Sequence, residues 1–414
     1  MHSSTLDPIV QPVRSRWRRW LFIFMALALG TGLALTLVEL TFSVLEKREW
    51  QQTSIIGAHW VDDPRWGWKP EPGEYNHRTS EYAATGRVNA HFMNDREENG
   101  AEDLAKTRIM VLGDSHTFAT GISTTQTWAK QLEFQLNVVA GTNAFRTYNA
   151  AVTGFSLHQY LGRLRDDGPR LKPHYVVVGL SYATDFYDLL PPGRGGWIYG
   201  GDRERDYFDL DEQGNLVPKH WTPVPHATAH DPGPHLTTAM SVRLLLDKSA
   251  TFRQLRRSKL MLMLGSRVRV GGQSLWPNME IVMEKGISPG HEYQHRLFKA
   301  LLQGLQLEAE RQGAKLIVAG IPYLPQVYED LRKATFPSEK YDAEATTRRV
   351  AKYCREIGVG FVDAQTPMRA KHQQTGRWLH FPKDAHPTVE GHQVIAEAIL
   401  TSRLVQIVST PVKP

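Results

Sequence analysis

The chain has 414 residues, of which 41% are hydrophobic and 22% charged, so it is long enough for a globular protein with a full core. Its net charge of +6 is modest for this length and does not indicate nucleic-acid binding. The single cysteine excludes an intrachain disulfide and a cysteine-based zinc site. Because Cys354 shares a helical stripe with apolar residues, we expect it to be an inert thiol in the core.

An uncharged apolar run stands near the N-terminus. Residues 20–38 carry no charge and apolar residues continue to Leu45, which is long enough to cross a bilayer. Basic residues favour the cytoplasmic side of a membrane, and four precede this run: Arg14, Arg16, Arg18 and Arg19.

These features predict a cytoplasmic N-terminus over residues 1–19 and a single transmembrane anchor over 20–45. The rest of the protein would then be extracytoplasmic, and a bacterial inner membrane with a periplasmic domain fits best. A cleaved signal peptide is the alternative, but the apolar run is long for one and no small-residue cleavage site follows it.

After the anchor, residues 46–105 are polar and rich in Trp, Gly and Pro, which predicts an extended lead-in. Alternating strand and helix patterns fill residues 106–410, and this alternation predicts a parallel sheet covered by helices on both faces. The predicted strands are 108–113, 147–152, 174–180, 315–321 and 359–364. The predicted helices are 127–137, 156–167, 292–314, 342–358 and 389–407.

Residues 186–290 interrupt the alternation and are interpreted as an insertion. They hold proline-rich pieces at 191–196 and 222–235, a hairpin-like pattern at 207–217 and a basic helical pattern at 241–264. Insertions at the carboxyl edge of such a sheet can form lids or substrate walls, and a structural excursion without a role is the alternative.

Three chemistry-bearing residues follow the ends of predicted strands. "GDSHT" places Ser115 after the first strand, and "DAHP" places Asp384 and His386 after the last one. Each motif alone is also ordinary turn chemistry. Because the carboxyl ends of parallel strands share one edge of a sheet, we expect the three side chains to converge there. A serine nucleophile needs a neutral imidazole as base and a carboxylate that orients it, and these three residues supply those groups.

Acyl transfer also needs hydrogen-bond donors for the oxyanion. The backbone N–H of Ser115 is one candidate. Gly154, just past the second strand in "AAVTGFS", is another because a glycine lets its backbone approach a ligand closely.

In this order and spacing, the motifs resemble those of the SGNH, or GDSL-type, hydrolases. The resemblance covers about residues 108–185 and 315–400. It implies a flavodoxin-like three-layer α/β/α fold with about five parallel strands, behind one N-terminal transmembrane helix. It also implies Ser115 as nucleophile, His386 as base and Asp384 as its partner, with no metal or organic cofactor.

The chain departs from the family pattern in its third block. "GLSYATDF" has Thr184 where the family usually has asparagine, and Thr184 is expected to supply an oxyanion donor together with Ser115 and Gly154. His116 and Asp185 are assigned to substrate contact, although His116 could also be a partly exposed bystander. The Asp-x-His spacing resembles that of SGNH proteins that acetylate bacterial exopolysaccharides.

The sequence thus predicts a membrane-anchored, extracytoplasmic serine esterase that removes acyl groups, O-acetyl among them, from a carbohydrate or lipid. Two alternatives remain open. The same triad could transfer the acyl group to a hydroxyl of a cell-surface or exported polysaccharide. The protein could instead be a catalytically inactive glycan-binding or scaffold protein of a membrane complex.

Overall fold

In the computed structural model the N-terminal helix is α1 (Arg16–Gln52), and the most apolar 18 residues within Trp17–Arg48 have a mean hydropathy of 2.3 and no residue buried within the protein. By length and composition this helix could cross a membrane, and a signal sequence would have the same properties.

The structure describes residues 16–52, 54–56, 59–182, 184–190, 203–223, 248–251, 269–270, 273–274, 277–336 and 338–402.

The segment predicted as an extended lead-in forms two small antiparallel sheets. One sheet has the order β1-β4-β5 and the other pairs β2 with β3. The β4–β5 turn is stabilised by Thr79, whose side-chain oxygen accepts the N–H groups of Glu81 and Tyr82. The strands are β1 (Ser54–Ile56), β2 (Trp60–Asp63), β3 (Gly67–Pro70), β4 (Gly73–Arg78) and β5 (Ala83–Val88).

A five-stranded, all-parallel sheet forms the centre of the fold, in the order β7-β6-β8-β13-β14. Numbered along the chain within this sheet, the order is 2-1-3-4-5, the flavodoxin-like doubly wound arrangement. All five strands predicted from apolar runs are confirmed. They are β6 (Thr107–Gly113), β7 (Phe145–Asn149), β8 (Tyr175–Ser181), β13 (Lys315–Ile321) and β14 (Gly360–Asp363).

Helices cover both faces of this sheet, so the fold has three layers. Successive residues of β6 alternate between two hydrophobic clusters: Met110 and Leu112 belong to one, Ile109 and Val111 to the other. Buried residues of α5, α7 and α10 belong to the first cluster, and buried residues of α4, α11 and α12 belong to the second. The helices after α1 are α2 (Gly100–Leu104), α3 (Ser115–Phe118), α4 (Trp128–Ala140), α5 (Leu157–Leu171), α6 (Pro277–Met283), α7 (Glu292–Arg311), α8 (Leu324–Val327), α9 (Glu329–Thr335), α10 (Ala345–Glu356), α11 (Gln365–Thr375) and α12 (Val389–Leu400).

The core contains Cys354, as the sequence predicted. Its thiol is fully buried in α10, and burial raises the pKa of this thiol to about 12. The thiol is therefore protonated and unreactive at neutral pH.

The predicted insertion is described in part. Its hairpin-like pattern is confirmed as β9 (Arg205–Leu210) paired with β10 (Leu216–Trp221). Two further short strands follow, β11 (Arg269–Val270) and β12 (Gln273–Ser274). Three predicted features lie outside the described residues: the proline-rich pieces apart from residues 222–223, most of the basic helical pattern at 241–264, and residues 403–407 of the last predicted helix.

Candidate active site

Ser115 begins the short helix α3, directly after the carboxyl end of β6. The chain turns tightly there because Gly113 has no side chain: a Cβ at this position would lie 2.3 Å from Thr117 Oγ1 and 3.0 Å from the Gly179 carbonyl oxygen. Asp114 caps the helix, since its carboxylate accepts the His116 N–H at 2.9 Å. The tight turn places the Ser115 hydroxyl at the sheet edge beside β8, where the strand order reverses.

The turn before α12 brings a histidine and an acid to Ser115. Ser115 Oγ lies 2.8 Å from His386 Nε2. The other ring nitrogen of His386, Nδ1, is hydrogen-bonded to Asp384 Oδ1. The structure therefore joins the three sequence-predicted residues into one continuous chain of hydrogen bonds, although 271 positions separate Ser115 from His386.

In that turn, the residue between the acid and the histidine has a left-handed backbone conformation. Ala385 has φ +70°, which a residue with a side chain rarely adopts. Two backbone hydrogen bonds hold the turn closed, from the Phe381 N–H to the His386 carbonyl and from the Ala385 N–H to the Phe381 carbonyl, each at 2.8 Å. Asp384 and His386 meet across this left-handed residue.

Asp384 is ionised in this arrangement. Burial alone would raise the pKa of Asp384. The hydrogen bond to His386 and the charge of its ring, together with a hydrogen bond from the Tyr82 hydroxyl, outweigh burial and lower that pKa. Asp384 can therefore orient the imidazole and stabilise its protonated form.

A cavity of about 460 Å³ opens over these residues. Its size is typical of a small-molecule site. Besides Ser115, His386 and Asp384, its lining includes three aromatic residues, an acid and an arginine. These are Trp60, Trp68, Tyr323, Asp188 and Arg203.

Gly154 lies on the wall of this cavity, as does Ser115. It has φ +79°, which favours glycine, and the carbonyl of Thr153 before it accepts the Trp68 indole N–H at 2.8 Å. Within the described residues, neither the Ser115 nor the Gly154 backbone N–H donates a hydrogen bond to another protein group. No described residue therefore occupies either N–H group.

Thr184 lines the same cavity, and its hydroxyl is bonded to protein groups. The hydroxyl donates to Asp114 Oδ2 at 2.6 Å and lies 3.0 Å from Ser181 Oγ. A buried carboxylate is a strong hydrogen-bond acceptor, so the single proton of the Thr184 hydroxyl is engaged by Asp114. An oxyanion-binding role for this hydroxyl stays a prediction, and it would require the hydroxyl to leave Asp114.

His116 is buried rather than partly exposed. Its Nδ1 lies 3.4 Å from Asp114 Oδ2 and 3.3 Å from Ser181 Oγ, and its ring centroid is 4.8 Å from that of His386. The ring lines the cavity, so a contact between His116 and substrate stays a prediction.

Asp185 does not fit its predicted role in substrate contact. It is fully buried, and it accepts hydrogen bonds from the Tyr160 hydroxyl and the Ser181 N–H, each at 2.7 Å. Burial and the nearby charge of Asp114 raise the pKa of Asp185 well above its usual value. Asp185 therefore acts as a neutral acid that ties β8 to α5.

Sequence reasoning missed three residues of the site. Asp114 is fully buried: its hydrogen bonds from His116 and Thr184 and the charge of His116 outweigh the effect of burial and lower its pKa. Asp188 lines the cavity, and burial, partly opposed by the charge of Arg205, raises its pKa to about 7. Tyr82 donates to Asp384 Oδ2 at 3.1 Å. Of the three, only Asp114 could have been found from the local sequence, because aspartate is a preferred residue at the start of a helix.

Replacing Thr184 by valine is expected to destabilise the protein by about 1–3 kcal/mol, because the buried Asp114 carboxylate loses a hydrogen-bond donor. Urea unfolding of the two proteins measures this difference. Thr184→Ser keeps the hydroxyl and should retain most of the wild-type stability. A valine variant as stable as the wild type would show that the Thr184–Asp114 hydrogen bond contributes nothing.

No family model and no curated protein matches the sequence. Part of the chain is similar to solved structures. A catalytic mutant of an acetylxylan esterase from Geobacillus stearothermophilus is 15% identical over 71% of this chain and 92% of its own, with a TM-score of 0.36. TesA is 14% identical over 72% and 97%, with a TM-score of 0.34. A protein described as a GDSL-like lipase, from Parabacteroides merdae, is 12% identical over 71% and 94%, with a TM-score of 0.36. These TM-scores are below 0.5, so the similarity identifies neither the activity nor the substrate of this chain.

Proposed function

We propose that the protein is a serine esterase of the SGNH type. The observation that carries this proposal is the contact of 2.8 Å between Ser115 Oγ and His386 Nε2, with the other nitrogen of the same ring bonded to Asp384. Serine becomes nucleophilic only when a base removes its proton, and the base must be in the correct tautomer. The carboxylate of Asp384 fixes the proton of His386 on Nδ1, which leaves Nε2 free to accept the proton of Ser115.

The reaction would follow from these contacts. Ser115 Oγ attacks the ester carbonyl while His386 takes its proton, and the carbonyl oxygen becomes an oxyanion bound by the N–H groups of Ser115 and Gly154. The ester C–O bond then breaks, and His386 returns the proton to the leaving alkoxide. Water attacks the resulting acyl-enzyme with His386 again as base, which releases the carboxylic acid and restores Ser115.

The proposed substrate is an acyl ester of a carbohydrate or lipid, and the proposed acyl group is a small one such as acetyl. The aromatic and charged lining of the cavity suits a polar molecule with an apolar face. We further propose that α1 anchors the protein in the plasma membrane with its N-terminus in the cytoplasm, which would place the cavity outside the cytoplasm.

Hydrolysis of a small acetyl ester by the full-length, detergent-solubilised protein tests this function. We expect steady acetate release from 4-nitrophenyl acetate, with the rate of the Ser115→Ala variant at the background level. Repeating the assay with an oligosaccharide acceptor separates hydrolysis from acyl transfer, because transfer converts the acceptor to its acetyl ester. If the wild-type protein gives neither free acetate nor acetylated acceptor, the proposed catalytic function is wrong.

A further inference from the structure

The turn between β4 and β5, residues 79–82, contacts the turn that carries Asp384 and His386. Glu81 accepts two backbone N–H groups of that turn, from Lys383 at 3.0 Å and from Asp384 at 2.9 Å. These contacts join parts of the chain that are about 300 positions apart. The lead-in therefore reaches the acid of the candidate site directly.

Tyr82 contacts the carboxylate of Asp384 itself. Its hydroxyl donates to Asp384 Oδ2 at 3.1 Å, while Asp384 Oδ1 is bonded to His386. Its ring packs against Phe381 with 4.9 Å between centroids. A Cβ on Gly121 would lie 2.9 Å from the Tyr82 ring and 3.1 Å from Phe381, so the absence of a side chain at this glycine leaves room for both rings. The ring is thus held in place independently of the hydroxyl.

We propose that Tyr82 is a positioning residue of the active site. It acts through Asp384, whose second oxygen it binds, so that the first oxygen stays aligned with His386 Nδ1. This inference rests on the proposed function, because a positioned Asp384 matters only if His386 works as a base.

The partly exposed position of Asp384 makes this second hydrogen bond important. About a quarter of the Asp384 side chain is accessible to solvent, so packing alone does not fix the carboxylate. The ring and the backbone N–H of His386 also bond to this carboxylate, and the Tyr82 hydroxyl adds a donor at Oδ2 that restricts its rotation about the Cβ–Cγ bond. Rotation would move Asp384 Oδ1 out of line with the imidazole.

The Tyr82 hydroxyl also affects the basicity of the acid. A donor to Asp384 Oδ2 stabilises its negative charge, so removal of that donor makes the carboxylate more basic. A more basic carboxylate holds the proton of the hydrogen bond that it shares with the imidazole more strongly, so we expect activity to appear at higher pH. The charged or titratable groups around Asp384 and His386 are His77, Glu81, Lys383, His116, His380 and His392.

Tyr82→Phe tests this role because it removes the hydroxyl and keeps the ring. With the small acetyl ester, we expect kcat to fall about 10- to 100-fold while KM changes by less than about twofold, since only the geometry of the base is disturbed. We also expect the acid limb of the kcat/KM profile to move to higher pH. A purely structural role would lower the amount of folded enzyme without moving that limb.

Tyr75→Phe is the matched control. Tyr75 lies on β4 of the same sheet and donates to Asn94 Oδ1 at 3.2 Å, away from Asp384. We expect this variant to keep the wild-type pH profile and kinetic constants within about twofold. An active wild type with an unchanged kcat and pH profile in Tyr82→Phe would overturn the role of Tyr82 and leave the proposed esterase intact. An inactive wild type would overturn both.

Discussion

Ser115→Ala and His386→Ala are each expected to lower kcat for a small acetyl ester by roughly a million-fold, and the double variant is expected to be no slower than either single one. The two side chains act as one unit, because the hydroxyl is a nucleophile only while His386 Nε2 accepts its proton. Once either group is absent, the other has nothing to contribute to the chemical step. Steady-state rates at saturating substrate, corrected for the background reaction, measure this effect.

Measuring the stability of each variant shows whether its loss of activity comes from catalysis or from unfolding. Both side chains lie at the cavity rather than in the hydrophobic clusters, so thermal unfolding of each alanine variant should stay close to that of the wild type. Additive losses in the double variant would show that Ser115 and His386 do not act as one unit. A Ser115→Ala variant that keeps a tenth or more of the wild-type rate would exclude Ser115 as the nucleophile.

Asp95→Asn is expected to destabilise the protein by about 3–5 kcal/mol, the largest stability effect of any single change considered. Asp95 is fully buried and accepts hydrogen bonds from Arg146 Nη1 at 3.0 and 3.1 Å and from the Asn149 N–H at 3.1 Å. Lys130 Nζ lies 2.8 Å from Asp95 Oδ1. The amide keeps the size of the side chain but leaves the fully buried Arg146 guanidinium without its main counter-charge.

Equilibrium unfolding in urea measures this loss, and Glu97→Gln is the matched control. Glu97 is an exposed acid two positions away that pairs with the exposed Arg87 at 3.3 Å. Exposed ion pairs contribute at most about 1 kcal/mol, so this variant should unfold near the wild-type urea concentration. If Asp95→Asn were no less stable than Glu97→Gln, the buried ion pairs of Asp95 with Arg146 and Lys130 would not hold the lead-in to the sheet.

The same network predicts a pH dependence of stability. Burial of Glu133 opposes its ionisation, but the charges of Lys130 and Arg146 outweigh burial and lower its pKa to about 2. A carboxyl group whose pKa is lower in the folded state stabilises the fold above its unfolded pKa, near 4.5, and loses that contribution as pH falls towards 2. Glu133→Gln should therefore flatten the fall in the free energy of unfolding between pH 4.5 and 2. An equally steep fall in the variant would contradict the lowered pKa.

The central sheet could be predicted from the sequence because its strands are short apolar runs bounded by turns. "HYVVVGL" and "KLIVAGI" have few polar residues, and in the structure their strands pair side by side and are almost fully buried. A parallel sheet then brings the carboxyl ends of its strands to one edge. That geometric rule is why Ser115 and His386 could be paired without any local signal that connects them.

The lead-in could not be predicted in the same way. Its strands, such as Gly73–Arg78 and Ala83–Val88, are polar and alternate without a clear apolar face, so their order depends on packing against the rest of the protein. The contact between Tyr82 and Asp384 spans 302 positions and leaves no trace in the local sequence. The direction of the Thr184 hydroxyl depended on Asp114, whose burial could not be read from a turn motif.

The nucleophilicity of Ser115 is tested most directly by intact-protein mass spectrometry after treatment with a fluorophosphonate. This reagent bonds covalently to a serine whose proton is removed by a neighbouring base, and fluoride is the leaving group. We predict one added phosphonyl group per wild-type chain, located at Ser115 by peptide mapping, and no addition to Ser115→Ala or His386→Ala. A wild-type protein that stays unmodified, or one modified equally in the His386→Ala variant, would contradict the activation of Ser115 by His386.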